Sequence, residues 1–473
     1  MNAKISGVKF IRFPRLAGDK SHPHETVWPL SAAISATILK QQGLKSEVLD
    51  LAAGDVFGLG EAAEKISQDS PDVLFMQFET PSLNTALDFA RKIKGLKNDL
   101  VIVGFGQHAS ALPLEIMGCA SVDACICTDP ELIIKDLIPA IENKQLSRIG
   151  NIVFRSDDNQ IITTGTEYPA CDIDSLPYVD LSLISPGAYR KKKFPKPFFW
   201  GRDWGFIRTS LGCPNRCIFC SSLLRHSISK QYKLHSIAYV TGQIRFYKEK
   251  FGIKVFSMED DSFCIDEERT FKLCEAVSSL KIRWVADGVR ADKLSLKLLK
   301  AMKRSGCFGV GLGIESGSQK ILDVLNKGES RERIKEAALD VKRSGMLLAG
   351  YVMIGNPSET EADLAETIRL INEIKPHILY IHYFMPYPGC DAYYLLKQKI
   401  DIKDMTHYKY SGINFSNIES AKLNNLMSDF YKRYYFSWPY IKEYLKHRFI
   451  YSVCDLNEIS LIKEALGFIG LRR

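Results

Sequence analysis

The sequence predicts an α/β protein laid out in two stages, a doubly wound domain followed by a partial (β/α)6 barrel, with a helical region closing the chain. Three observations carry that expectation. Short apolar runs alternate with helical stretches from Val8 onward. The same alternation returns as six consecutive strand and helix units between Gly205 and about Lys397, without a reversal. Between them lies a stretch punctuated by Pro169, Pro177 and Pro186 that has little helical period. Strands separated by helices pair in parallel, because each crossover helix returns the chain to the same end of the sheet.

In the first stage, strands are expected at Val8–Phe13, Ser46–Leu51, Val73–Phe78 and Leu100–Val103, with helices at Trp28–Gln42, Glu61–Ser67 and Thr85–Ile93. This domain is placed at residues 1–145. A hairpin over Asn151–Gln160 opens a linker, 146–204, that ends in the basic and aromatic stretch Arg190–Arg202. The barrel, 205–397, takes strands at Phe206–Thr209, Lys254–Met258, Ile282–Ala286, Phe308–Ile314, Leu347–Met353 and Ile378–Phe384. Helices at Ile237–Lys250, Glu267–Ser279, Leu294–Arg304, Arg331–Ser344 and Glu361–Ile374 separate them. From 398 to 473, Leu426, Phe430 and Tyr434 fall at helical spacing and suggest a helical cap on the barrel.

Composition sets the broad class. With 473 residues, 46% hydrophobic and 25% charged, the chain has the balance of a globular protein of several domains. No apolar run reaches the ~18 residues of a spanning helix, and Met1–Phe10 does not read as a secretory signal, so a cytoplasmic location is expected. Lys plus Arg minus Asp plus Glu is 63 − 55 = +8, compatible with an anionic partner without demanding one. The lysines Lys191, Lys192, Lys193 and Lys196, interleaved with Phe194, Phe198, Phe199 and Trp200, read as a solvated basic loop, so nucleic acid is not expected as a partner.

Twelve cysteines in a reducing compartment are thiols or metal ligands, and their spacing decides which. Most are scattered. Cys213, Cys217 and Cys220 instead fall within eight residues, on a loop directly after the first barrel strand, at the end of the strands where barrels place chemistry. A structural zinc site takes four ligands, and His226 is the local candidate for a fourth. A four-iron cluster held by three thiolates keeps one iron open for a ligand.

Cys213-x3-Cys217-x2-Cys220 after the first strand of a six-unit barrel resembles the radical S-adenosylmethionine (SAM) superfamily, and further matches extend from Gly205 to about Tyr394. The resemblance implies a 4Fe-4S cluster on the three cysteines and SAM chelated to the open iron, with Phe219 near the adenine. Met258-Glu-Asp-Asp-Ser-Phe263 is similar to a signature of the branch with an amino-terminal cobalamin-type domain, and implies that Asp260 or Asp261 accepts from the SAM ammonium. Gly311-Leu-Gly-Ile-Glu315-Ser316-Gly317 resembles the segment that binds the ribose and the methionyl carboxylate. Arg290 is a candidate partner for that carboxylate, or a member of an ordinary salt bridge. Gly355-Asn-Pro-Ser-Glu359-Thr360 matches the family's Gly-x-Pro-x-Glu-Thr loop, read as shaping the adenine end and capping the next helix. Tyr380 and His382 alternate onto one side of the sixth strand, where they would meet substrate if that side is the lumen.

The amino-terminal domain resembles the Rossmann-like, cobalamin-binding module of that branch through Trp28-Pro-Leu30, Glu47-Val-Leu-Asp50, Pro81-Ser82-Leu-Asn-Thr85 and Gly104-Phe-Gly106-Gln-His108. By this resemblance Ser82, Gly104, Gly106 and His108 lie at the cofactor, at the carboxyl ends of the strands. Two departures stand out. The stretch Asp50–Gly60 has no histidine to ligate cobalt from below, and Cys127-Thr-Asp-Pro-Glu131 replaces the usual glycine-rich acidic turn.

Together these features imply an enzyme in which the cluster passes one electron to SAM and a 5′-deoxyadenosyl radical is released. The leading expectation is a cobalamin-dependent C-methyltransferase acting on a small-molecule biosynthetic intermediate, with an electron donor such as flavodoxin or ferredoxin. One alternative is ring formation, rearrangement or carbon coupling with a vestigial cobalamin domain. Another is an iron–sulfur protein that binds RNA or acts as a sensor.

Overall fold

The computed structural model describes residues 4–14, 27–53, 58–165, 171–184, 189, 204–220, 232–400, 414–438 and 440–442. The basic stretch expected at Arg190–Arg202, His226 and the chain beyond residue 442 lie outside them. The chain forms two compact units. The first combines Met1–Lys192, Arg208–Gln243 and Met385–Ser411, and the second Lys193–Ile207, Ile244–Phe384 and Gly412–Arg473.

The first unit is a seven-stranded sheet of β1 (Gly7–Arg12), β2 (Lys45–Asp50), β3 (Val73–Gln77), β4 (Val101–Phe105), β5 (Ala124–Ile126), β6 (Ile152–Arg155) and β7 (Ile161–Thr163), in the order β2-β1-β3-β4-β5-β6-β7. Strands β1 to β5 run parallel, as the alternating pattern requires. Val73, Leu74, Phe75 and Met76 are all fully buried, so consecutive side chains on opposite faces are both covered. Phe10 stacks on Phe75 at 4.7 Å between ring centroids. The sheet continues past residue 145, because the hairpin β6–β7 pairs antiparallel with β5 and buries Ile152, Val153 and Phe154. A short apolar run beside an otherwise open edge strand gains more by pairing than by remaining a linker.

The second unit is a six-stranded, all-parallel sheet: β8 (Trp204–Ile207), β9 (Val255–Met258), β10 (Arg283–Val289), β11 (Cys307–Glu315), β12 (Leu347–Ile354) and β13 (Ile378–Tyr383), each beside the next. Sequential order with a helix after each strand is the topology of a partial barrel. The helices begin on polar caps. Asp266, Ser295, Ser330 and Thr360 each accept a hydrogen bond from the backbone three residues on, and the helices Glu267–Ser278, Leu296–Arg304, Arg331–Arg343 and Glu361–Ile374 follow.

Strand alternation gives the second sheet two different faces. Val310, Leu312, Leu348 and Val352 are buried and apolar on one face. Tyr351, Met353, Tyr380 and His382 stand half-buried on the other, joined by the register pairs Tyr351↔Tyr380 and Met353↔His382. The open edge β13 is closed by the helix Ser420–Tyr435. The Tyr435 hydroxyl accepts from Leu379 N and donates to Leu379 O, both at 3.0 Å, and the Tyr431 hydroxyl accepts from Ile381 N at 2.9 Å.

Candidate active site

The three cysteines belong to the first unit. Its chain passes through the two-residue strand Ser210–Leu211, paired with Lys233–Leu234, and turns at Gly212 with φ +83° into Cys213. Cys217 is buried, Cys213 and Cys220 are half-buried, and all three are free thiols. The loop is held by Cys220 N donating to Cys217 O at 3.2 Å and by Ala392 N donating to Ile218 O at 2.9 Å. Asn215 Nδ2 donates to Cys213 Sγ at 3.2 Å, and a hydrogen bond to a ligand sulfur is one lever on a cluster's potential. Phe219 is half-buried. Among the described residues no three His, Cys, Asp or Glu side chains converge as they would around a single ion. The donor set is three soft sulfurs, the chemistry that suits an iron–sulfur cluster.

In the second unit, Asp260 is buried and Asp261 exposed, so the structure separates the two carboxylates that the sequence left equivalent. The Asp260 carbonyl lies 2.8 Å from where a Cβ on Gly288 would stand, which explains a glycine with φ +64° there. Arg290 is buried and its Nε donates to Asp292 Oδ1 at 3.0 Å. Lys327 Nζ lies 3.2 Å from Glu315 Oε1 and 3.4 Å from Glu329 Oε2, and Arg290 Nη2 is 4.0 Å from the same Glu329 oxygen. Burial pushes the Glu329 carboxyl above its ordinary range against the pull of these cations. Arg290 and Glu315 therefore sit in one buried network, and Lys327 and Glu329 are members the sequence reading missed. Their signal was a Lys-Gly-Glu triplet closing the helix after the glycine-rich strand.

Ser316 is wholly buried. Its hydroxyl lies 3.1 Å from Thr367 Oγ1 and accepts from Ser318 N at 3.1 Å, so it locks the turn onto the helix Glu361–Ile374. The loop Gly355–Thr360 is organised from within. Glu359 accepts from Gly355 N at 2.7 Å and Asn356 N at 3.2 Å, with burial pushing its carboxyl up, while Thr360 caps the next helix reciprocally with Asp363.

On the face of the sheet away from the apolar side, Asp287 of β10 and Tyr351 of β12 meet across Gly311 of β11. The Tyr351 hydroxyl donates to Asp287 Oδ1 at 2.7 Å. A Cβ on Gly311 would stand 1.8 Å from that oxygen and 2.9 Å from the Tyr351 ring. Tyr351 stacks on Tyr380 at 5.2 Å, and Tyr380 faces His382 at 6.3 Å with nearly parallel planes. Asp287 and Tyr351 had no motif to mark them; a lone carboxylate inside the run Trp284-Val-Ala-Asp-Gly-Val289 was the available signal. Cys264, Cys307 and Cys390, which lie near strand ends, are buried, and burial raises the first two thiols well out of the reactive range.

The candidates of the first unit's sheet lie on the loops after β3 and β4. His108 is fully buried between Thr80 Oγ1 at 3.0 Å and Glu115 Oε2 at 3.2 Å. Ser82 Oγ donates to Glu79 O at 3.3 Å. A Cβ on Gly104 would come within 3.1 Å of Cys125 Sγ and Phe78, and one on Gly106, with φ +104°, within 3.0 Å of Phe78 O. His108 and Gly106 thus hold the two loops against each other, and Ser82 braces the loop after β3 from within. Beyond β5, by contrast, Glu131 pairs with Arg208 through Oε1, while its Oε2 and the Thr128 hydroxyl are buried with no hydrogen-bond partner among the described residues. Cys125 and Cys127 are apolar filling, with burial pushing Cys127 up to about 12.

Residues 207–371 match the family model of the radical SAM superfamily. The chain is similar to an uncharacterized methyltransferase of Pyrococcus horikoshii, 25% identical over 417 residues that cover 86% of this chain and 87% of the relative. It is also similar to the anaerobic magnesium-protoporphyrin IX monomethyl ester cyclase of Rubrivivax gelatinosus, 22% identical over 447 residues, 89% of this chain and 77% of the relative. Among solved structures, the radical SAM methyltransferase TsrM from Kitasatospora setae, solved with cobalamin and a four-iron cluster, has a TM-score of 0.67 at 15% identity, covering 84% of this chain and 75% of that one. The cobalamin-dependent SAM radical enzyme OxsB has a TM-score of 0.69 at 18% identity, covering 99% and 71%. Fold and motif define an enzyme that uses a cluster and SAM. Residues 207–371 carry the radical SAM domain, and the fold of the chain is that of TsrM and OxsB.

Proposed function

We propose that this enzyme is a cobalamin-dependent methyltransferase that adds a methyl group to a carbon of a small-molecule biosynthetic intermediate, in the cytoplasm, drawing single electrons from a flavodoxin- or ferredoxin-type donor. The observation that carries the reading is the set of three free thiols on the loop following the first strand of a sequential six-stranded parallel sheet. Cys213, Cys217 and Cys220 would hold the cluster, with Asn215 tuning it through Cys213. In the second unit, Asp260, Arg290 and Glu315 would bind SAM. Lys327 and Glu329 hold Glu315 and Arg290 in place, and the Ser316 turn fixes the backbone beside them.

When bound, cluster and SAM supply a carbon radical, and cobalamin supplies the methyl group. The first unit fits cobalamin at the loop after β5, where Thr128 Oγ1 and Glu131 Oε2 are buried polar atoms awaiting a partner, at the strand ends where doubly wound folds bind ligands. The sheet face with Tyr351, Tyr380 and His382 would hold the target carbon and keep water away.

Anaerobic protein reconstituted with iron, sulfide and hydroxocobalamin, then given SAM and dithionite, is expected to form 5′-deoxyadenosine and to retain about one cobalt per chain. Cys217→Ala is expected to lose the cluster's visible absorbance and all 5′-deoxyadenosine above background. An intact cluster with no SAM cleavage would refute the radical reading. Cleavage without cobalt retention would refute the methyl-transfer reading alone.

A further inference from the structure

In the first unit, the loop after β5 and the thiol loop meet at one side chain. Glu131 is buried; its Oε1 accepts from Arg208 Nη2 and lies 3.3 Å from Ser31 Oγ. Arg208 stands five residues ahead of Cys213. The backbone between them is held on both sides: Thr209 O accepts from His235 N at 3.0 Å, and Ser210–Leu211 pairs with Lys233–Leu234. The loop that carries Glu131 is pinned as well. Cys127 N donates to Asn151 O at 2.7 Å, and Leu132 N donates to Asp129 O at 3.1 Å. A restraint on Glu131 therefore reaches the root of the thiol loop through Arg208.

Glu131 is only half satisfied. Its Oε2, and the hydroxyl of Thr128 three residues before it, are buried with no hydrogen-bond partner among the described residues. The same holds for Ser35 Oγ, one turn beyond Ser31 on the helix Leu30–Gln41. A buried carboxylate oxygen without a donor is costly, and folded proteins keep such groups where a ligand or an ordered water completes them. What completes a carboxylate is an N–H or O–H group, and the rim of a corrin ring is set with carboxamides. A donor on Oε2 fixes the same carboxylate that Arg208 grips through Oε1.

We propose that Glu131 couples the two cofactor sites of the first unit: its Oε2 accepts from a corrinoid carboxamide beside Thr128, its Oε1 passes that restraint through Arg208 to the loop of Cys213, Cys217 and Cys220, and corrinoid and cluster therefore bind cooperatively. This rests on the cobalamin reading above for its ligand and adds the link between the sites. Glu131 and Thr128 meet the corrinoid. Arg208 is a positioning residue, acting on the cysteines through the backbone from Thr209 to Gly212.

The test is binding, which needs no turnover. Full-length protein is prepared anaerobically in two forms, iron-free and reconstituted with its cluster, and each is titrated with hydroxocobalamin by equilibrium dialysis. The reconstituted form is expected to bind about tenfold more tightly, an ordinary size for coupling between two sites. Cys217→Ala, taken through the same reconstitution, is expected to keep the affinity of the iron-free form, which ties the effect to the cluster rather than to stray iron. Arg208→Gln is expected to bring the ratio of the two affinities near one. Arg208→Lys keeps the charge but loses the planar fork, so its ratio is expected to fall in between, and it decides the point should Arg208→Gln fail to fold. Thr128→Val removes a hydroxyl that has no partner, so the melting temperature of the cofactor-free variant is expected to equal or exceed that of wild type. Its affinity for hydroxocobalamin is expected to fall about fivefold in both forms, the size of one net hydrogen bond, with the ratio kept. Equal affinities in the two wild-type forms, a ratio unchanged in Arg208→Lys, or wild-type affinity in Thr128→Val each overturns the proposal. Failure of both forms to bind hydroxocobalamin overturns the cobalamin reading with it, whereas binding of equal strength in both overturns the coupling alone.

Discussion

The two sheets of this chain are built from the same alternation of strand and helix, yet they treat their faces differently. In the amino-terminal sheet both faces are packed, and at the strand ends His108 ties one loop to another while Ser82 braces its own loop. In the barrel sheet one face is apolar throughout, while the other is packed around Val285, Cys307 and Ala349 and turns polar toward the carboxyl ends of its strands. The other carries Asp287, Tyr351, Tyr380 and His382, half-buried and turned toward one another. The lesson is that a parallel sheet can offer chemistry in two ways: from the loops beyond its strands, or from one whole face when glycines such as Gly311 let neighbouring side chains cross the strand between them.

Glycine replacement probes that contrast most strongly. A Cβ on Gly317 in the second unit would fall 2.5 Å from Thr367 Cα and 2.6 Å from Glu366 O, backbone that cannot yield. Gly317→Ala is therefore expected to cost at least ~3 kcal/mol, near the upper end for overpacking. Gly104→Ala in the first unit meets side chains at 3.1 Å and is expected to cost about 1 kcal/mol. Urea unfolding of the two variants measures the difference, and equal losses would show that both units are equally rigid at these turns.

The sheet edges give the next contrast. Tyr435→Phe strips both hydrogen-bond partners from the Leu379 peptide on β13, with an expected loss of about 1–3 kcal/mol. At the opposite kind of edge, Ile162 on β7 is 37% exposed, and Ile162→Lys is expected to stay within about 0.5 kcal/mol of wild type. A large effect at Ile162 would mean that the first sheet's edge is covered.

The smallest effect concerns acid. Burial opposes ionisation of Asp180, but hydrogen bonds from Lys40 and Ser182 outweigh it and hold the carboxyl down at about 2, against an ordinary 3.8. A depressed acid stabilises the fold fully above its unfolded value and loses that contribution as pH falls through the folded one. Hydrogen exchange at the Ser182 amide, which donates to Asp180 Oδ1, is expected to lose its protection as pH drops from 3.8 toward about 2. Asp180→Asn is expected to flatten that dependence.

Much of this was legible in the sequence. Each of the six barrel strands falls within three residues of its expected bounds, because an apolar run next to an amphipathic helix has few other ways to be buried. The spacing of Cys213, Cys217 and Cys220 marked three thiols that the structure carries on one loop, since donors close in sequence stay close in space. Less legible were Asp287 and Tyr351, 64 residues apart, whose meeting depends on strand register and on the absence of a side chain at Gly311.

Periodicity and cysteine spacing along the chain thus determined the parallel strands of both sheets, the thiol loop and the class of reaction, because those are local properties that survive in one dimension. Which of Asp260 and Asp261 is buried, which cations hold Glu315 and Glu329, and which side chains share the open face were settled only by tertiary structure. Burial and hydrogen bonding are contacts between distant residues, and no local pattern encodes them.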